Sequence, residues 1–361
     1  MSLYSLPSLN DVDKASQLIA NKIKKTPVET SATLSKIATA SLSVRSEKFD
    51  SATQTKVELF FKCENFQRTG SFKFRGASHF LANLPNYELK KGVVAYSTGN
   101  HAQAVAHAAQ LASQERNIPI PTYVVVPENC SDTKINSARR YCATVFLSGT
   151  DPEARVKLAK QIQHTTGAVL VPPADHRDIA LGQATLVQEF LQQTKDMGHS
   201  LDALIVPSGG GGLLVGAAAV CKPYRIIVFG AEPECGGPGL SAAKQRGTRT
   251  THMDQGTSTV ADGLRSLTGE ANWEIIKETE NVEDIFTVTE AEIKDTLRMA
   301  IKNLGFVIEP SAAVPLAVAL FSTKFHARMT AEQKMHLKVG IVLTGCNIGE
   351  GQLMRILPNQ S

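Results

Sequence analysis

The 361-residue chain is 42% hydrophobic and 20% charged, an ordinary globular composition with material for a large core or two packed units. Lys and Arg number 38 against 34 for Asp and Glu, and the net charge of +4 is too small and too dispersed to call for nucleic acid. No secretory signal is read at Met1 to Asn10 and no apolar run approaches membrane-spanning length, while six scattered cysteines offer no close pair for zinc or redox chemistry, so a reduced, cytoplasmic compartment is expected.

Over residues 10–23 the apolar positions Val12, Ala15, Leu18, Ile19 and Ile23 recur at helical spacing, which predicts a covering helix with Asn10 as N-cap and Pro27 beyond its end. Residues 38–55, rich in Ser, Thr and Ala, read as a surface excursion before a strand over 57–62. Next, Gly70-Ser71-Phe72-Lys73-Phe74-Arg75-Gly76 sets a lysine between two aromatic residues. An apolar wall there would lower the amine's pKa toward the nucleophilic range, and such a lysine can form a Schiff base. A lysine snorkelling from an amphipathic helix is the plain alternative.

Further on, short β-branched runs at 93–97, 121–126, 144–147, 169–171, 204–206, 226–231 and 339–343 alternate with helical stretches. Continuous apolar strands of this kind predict an α/β fold whose mostly parallel sheets are covered on both faces. The shorter runs suggest a small unit, 90–168, inserted into a larger one, 1–89 and 169–361, with a cleft between two sheets. Ligands of such sheets sit beyond the carboxyl ends of the strands.

Three loops occupy that position. Ser97-Thr98-Gly99-Asn100-His101 leads into a helix and can hold an anion such as a carboxylate on free N–H groups, or simply cap the helix through Ser97 or Thr98. Ser208-Gly209-Gly210-Gly211-Gly212 opens into the apolar helix from Leu213, and successive glycines can turn their N–H groups inward around a phosphate. The spacing is neither a dinucleotide fingerprint nor a Walker loop, so a single phosphate is expected. Thr344-Gly345-Cys346-Asn347 offers a hydroxyl, a thiol and an amide, or no more than a turn.

Together with the Lys73 segment, these loops resemble the fold-type II pyridoxal phosphate enzymes of the serine/threonine dehydratase and serine racemase family, which includes fungal threo-3-hydroxyaspartate ammonia-lyase. The likeness covers nearly the whole chain and implies two open, twisted sheets of the tryptophan synthase β type with pyridoxal 5'-phosphate in the cleft. It implies Lys73 as the Schiff-base lysine beside Phe72, with Asn100 at the cofactor's phenolic oxygen. Backbone N–H groups of Gly209, Gly210, Gly211, Gly212 and Leu213 would hold the phosphate, with Gly263 and Glu309 near the ring and Thr344 at its nitrogen. Ser97, Thr98, Asn100, His101 and Arg155 fall at substrate positions, Thr98 also as a catalytic hydroxyl opposite Lys73.

The family's cation site would draw on Glu232 and Gly236, but Pro238 stands where a second acid is expected and supplies no oxygen, so dependence on a divalent cation should be weak or absent. Cys346 replaces a customary glycine. The implied activity is an ammonia-lyase, converting a small L-β-hydroxy amino acid (serine, threonine or threo-3-hydroxyaspartate) to a 2-oxo acid and ammonia in a homodimer. Amino-acid racemisation is the rival, and a non-catalytic small-molecule-binding protein on the same fold is a third reading.

Overall fold

Ten strands build two sheets in the computed structural model, which describes residues 5–43, 55–97, 99–128, 136, 139–149, 152–253 and 258–358. The strands are β1 (Val28–Thr30), β2 (Lys56–Cys63), β3 (Val93–Tyr96), β4 (Thr122–Pro127), β5 (Thr144–Ser148), β6 (Val169–Leu170), β7 (Ala203–Pro207), β8 (Ile227–Pro233), β9 (Asp284–Val288) and β10 (His336–Leu343). The six-stranded sheet runs β1-β2-β10-β7-β8-β9, antiparallel only between β1 and β2. The four-stranded sheet, β5-β4-β3-β6, is parallel throughout.

Alternation along β10 shows how the large sheet is covered. Leu337, Val339, Ile341 and Leu343 pack into one core with the helix Pro310–Phe321, while Val342 joins the core on the other face with the helices Arg177–Asp196 and Gly212–Cys221. Both faces are dry, which is why the strand reads as a continuous apolar run. Adjacent parallel strands β2, β10 and β7 bring their carboxyl ends side by side, with Leu343 opposite Cys63 and Ile341 opposite Ile205. Their following loops therefore converge on one edge.

Several local expectations change. The first helix spans Leu9–Ile19 and is capped by Ser8, not Asn10: Ser8 Oγ accepts from Asp11 N at 3.2 Å and Asp11 Oδ2 accepts from Ser8 N at 3.0 Å. Ile23 lies beyond its end. The start of the expected 38–55 excursion is core instead, because the helix Ala32–Ser43 buries Ala38 and Leu42, and Thr39 Oγ1 accepts from Val57 N at 2.9 Å. Residues 44–54 lie outside the described residues. The strand at 169, assigned from sequence to the large unit, pairs instead with β3 through Val93 and Val94, so the small sheet reaches past residue 168. Among the described residues, no helix is long and apolar enough to cross a membrane.

Candidate active site

Lys73 begins the helix Lys73–Asn83, with Phe72 at the cap. The turn delivering it holds Thr69 at φ 61° and Gly70 at φ 69°, both left-handed, and a Cβ on Gly70 would come within 2.7 Å of Asn347 Oδ1. Backbone contacts stitch this turn to the loop after β10: Phe72 N donates to Thr344 O at 3.0 Å, Cys346 N donates to Gly70 O at 3.0 Å, and Ser71 bridges Gly345. Half-buried, Lys73 Nζ donates to Pro173 O at 2.6 Å and lies 5.2 Å from the centre of the Phe72 ring. Loss of hydration pushes its pKa down from 10.5 to about 8, against the opposing pull of Glu309. A snorkelling surface lysine would show neither feature.

Pro173 also joins the lysine to the glycine loop, because its neighbour Ala174 packs there. A Cβ on Gly210 would meet Ala174 Cβ at 2.6 Å, and one on Gly212 would meet Ala174 O at 2.8 Å. Gly211, at φ 92°, caps the helix Gly212–Cys221 with no side-chain partner, leaving the first-turn N–H groups, Leu213 included, without intrahelical acceptors. The loop's carbonyls are held from behind: Thr268 Oγ1 donates to Gly209 O at 3.1 Å, and Asn272 Nδ2 donates to Gly210 O at 2.8 Å. Ser208 Oγ is buried and has no hydrogen-bond partner among the described residues. Such an arrangement of free N–H groups at a helix N-terminus can hold an anion.

The remaining elements close around the lysine. Asn100 starts the helix Asn100–Arg116 beyond β3, and its Nδ2 donates to both oxygens of buried Glu309, at 2.9 and 3.0 Å. Glu309 N donates to Gly345 O at 2.9 Å, and Gly263 N donates to Ser311 Oγ at 3.0 Å. A Cβ on Gly263 would stand 3.8 Å from Glu309 Oε1, so Gly263 and Glu309 are neighbours. Thr344 is buried beside Phe72. The Cys346 thiol lies beside Gly70 and donates to Asn65 O at 3.3 Å. Burial keeps that thiol protonated.

The substrate-side residues divide. Ser97 Oγ accepts from Gly99 N at 3.1 Å and shapes the turn, whereas Thr98 lies outside the described residues. His101 is buried, with Nε2 at 3.0 Å from Val171 O; a carbonyl only accepts, so Nε2 carries the proton. Burial, and then the charge on Lys73, push the imidazole down to about 3. His101 therefore reaches the site neutral and cannot grip a carboxylate as a cation. Arg155, on the helix Pro152–Thr166, acts electrostatically on Tyr96 at the end of β3, where burial raises the phenol's pKa and Arg155 opposes it.

Glu232 stands apart as a structural cap. Its carboxylate accepts from Leu240 N at 2.9 Å and Ser241 N at 2.7 Å, and burial still raises its pKa against these contacts. Gly236, at φ 68°, packs so closely that a Cβ would meet Thr259 N at 2.9 Å. Among the described residues, no group of three or more His, Cys, Asp or Glu side chains could hold a metal ion.

The convergent site thus contains Lys73, the glycine loop, Asn100, Glu309, Gly263 and Thr344. Asn272 and Thr268, which hold the glycine loop, carry no local sequence signal of their own, whereas Pro173 lies in a stretch, Pro172 to His176, that also resembles the family. A desolvated amine and a run of glycines too tightly packed at Gly210, Gly211 and Gly212 to carry side chains, opening into a helix N-terminus, fit pyridoxal phosphate: Lys73 would hold its aldehyde carbon and the loop its phosphate.

Comparison with known proteins agrees. Residues 21–345 match the family described as pyridoxal-phosphate dependent enzyme. The chain is 34% identical to a serine racemase of Oryza sativa subsp. indica over 97% of its length and 93% of the relative's. It is 35% identical to an L-threo-3-hydroxyaspartate ammonia-lyase of Pseudomonas sp, covering 95% of this chain and 96% of the other. The structure of maize serine racemase superposes with a TM-score of 0.83 at 32% identity, covering 97% of each chain. The two-sheet α/β fold and the cofactor are therefore those of fold-type II pyridoxal phosphate enzymes. On these grounds the chain belongs to the pyridoxal-phosphate dependent enzyme family.

Proposed function

We propose that this protein is an ammonia-lyase that converts a small L-β-hydroxy amino acid to a 2-oxo acid and ammonia, acting as a homodimer in the cytoplasm. The observation that carries the reading is the Lys73 amine, pushed down to about 8 and held against Pro173 O, one residue from the packing of the glycine loop. Bound pyridoxal phosphate supplies an electron sink that stabilises the charge left when an α-proton departs. Lys73 takes that proton, since its amine is substantially deprotonated near pH 8. Arg155 and the open N-terminus of the helix Asn100–Arg116 hold the α-carboxylate, with Ser97 and Gly99 shaping the turn. Departure of the α-proton and the β-hydroxyl releases water, and water returns to cleave the C–N bond, giving ammonia and the 2-oxo acid. The cysteines among the described residues are unpaired, which suits a reducing compartment.

The same machinery up to proton abstraction serves racemisation, and the serine racemase relative supports that second reading. Racemisation needs a proton donor on each face of the reacting carbon. Thr98 brings a hydroxyl between Ser97 and Gly99 in the sequence, but a branched Cβ restricts the rotamers through which such an oxygen can act. Elimination is therefore expected to dominate. Thr98→Ser should raise racemisation relative to elimination, and Thr98→Ala should remove racemisation while sparing elimination. A panel of L- and D-β-hydroxy amino acids, with keto acid and enantiomer followed together, tests both. If the unmodified enzyme interconverts enantiomers faster than it releases keto acid, the racemase reading replaces the lyase reading.

A further inference from the structure

The geometry points to Asn347 as a positioning residue that fixes which end of the Asn100 amide faces the cofactor. The inference rests on the functional reading above and adds a residue that the chemistry itself does not name. Asn347 Nδ2 donates to Thr69 O at 2.8 Å and to Asn100 Oδ1 at 2.7 Å. Thr69 O is a carbonyl and only accepts, so the sense of the Asn347 amide is set by the backbone. Asn100 then has its oxygen taken, and its Nδ2 faces the Glu309 carboxylate, which also only accepts when ionised.

Every polarity in this relay agrees. Turning Asn100 over would set its Oδ1 against a carboxylate and its Nδ2 against the Nδ2 of Asn347. Turning Asn347 over would set its Oδ1 against Thr69 O and Asn100 Oδ1, two acceptors, and its side chain lies so close to Gly70 that a Cβ there would come within 2.7 Å of Oδ1. Gly70 is also left-handed, at φ 69°. Asn347 thereby ties three separate segments together: the turn before Lys73, the loop after β10, and the helix Asn100–Arg116 that follows the small sheet. The nitrogen end of the Asn100 amide is then the one turned toward Glu309, so that Asn100 would offer bound pyridoxal phosphate a donor for its phenolic oxygen and not an acceptor.

A double-mutant cycle on the apoprotein's affinity for pyridoxal phosphate, measured by fluorescence titration, tests this without using turnover. Asn347→Ala should weaken binding about tenfold, the size of one well-made hydrogen bond lost. Asn347→Asp keeps the shape but sets a carboxylate against Asn100 Oδ1, so it should weaken binding further. In an Asn100→Ala background either change should alter affinity less than about twofold, since its means of action is gone. Equal losses in the two backgrounds would make Asn347 a mere staple of the loop and overturn the inference. If Asn347→Ala does not fold, the isosteric Asp variant carries the same comparison. Failure of the wild-type apoprotein to bind pyridoxal phosphate would overturn the functional reading and this inference with it.

Discussion

Lys73→Ala is expected to lower turnover by about a thousandfold or more, because in the proposed mechanism one side chain both anchors the cofactor and moves the α-proton. Lys62 cannot take its place: its ammonium is buried and bound to Glu189 at 2.5 Å, Gln193 at 2.7 Å and Thr26 O at 2.8 Å. Stability supplies a second reading of the same residue. In the unfolded chain Lys73 keeps its proton up to its ordinary pKa of 10.5, whereas in the folded apoprotein it gives it up near 8. Between those values the unfolded state binds more protons, so the apoprotein gains stability as pH rises from about 8 to 10.5. Lys73→Met should flatten that rise and be more stable than wild type at neutral pH, as urea unfolding across this pH range would show. A variant with unchanged turnover, or an unchanged pH slope, would contradict the assignment.

Arg75→Met is expected to cost about 3–5 kcal/mol, because it strands the buried Glu64 carboxylate and takes one of two cations from Glu189. Two residues after Lys73, the Arg75 guanidinium is fully buried and donates from Nε and Nη2 to the two oxygens of Glu64, each at 2.8 Å. Nη1 and Nη2 also reach Glu189 at 3.2 Å. Burial works against the guanidinium's charge, but the neighbouring carboxylates outweigh it and hold Arg75 ionised. Removing it leaves Glu64 with Thr26 Oγ1 at 2.6 Å, and Glu189 with Lys62. Arg75→Lys should recover only part of the loss, since an ammonium cannot reproduce the planar fork. Burial raises the Glu189 pKa, yet Arg75 and then Lys62 bring it below 4.5. That contribution is present above pH 4.5 and is lost as pH falls through the depressed folded value. A shift in the urea midpoint worth under about 1 kcal/mol would contradict the role given to the cluster.

The chemistry at Lys73 is readable from the chain because part of its setting is local: Phe72 supplies the wall, and the helix begins at the lysine itself, whereas its acceptor Pro173 O and the opposing charge of Glu309 come from far along the chain. The glycine loop is readable for the same reason, since a strand, consecutive glycines and an apolar helix lie in one continuous stretch. The elements that the chain does not announce depend on distant pairing. β1 is three residues long and mixed in polarity, and β9 begins on Asp284, so neither gives a continuous apolar run. The Ala32–Ser43 helix is weakly amphipathic and Ser/Thr-rich, and only its contact with the large sheet makes Ala38 and Leu42 core. Nothing near His101 in sequence announces that burial will keep it neutral, and the Lys62–Glu189–Arg75–Glu64 cluster joins residues more than a hundred positions apart. Asn347 looks like a turn residue until Thr69 and Asn100 arrive beside it.

The most direct measurement is borohydride reduction of the purified holoprotein followed by peptide mass mapping. The account predicts one phosphopyridoxyl group per chain, carried on Lys73 Nζ, with the visible absorption of the cofactor lost on reduction and no such label in Lys73→Ala. A label on another lysine, or none at all, would contradict it.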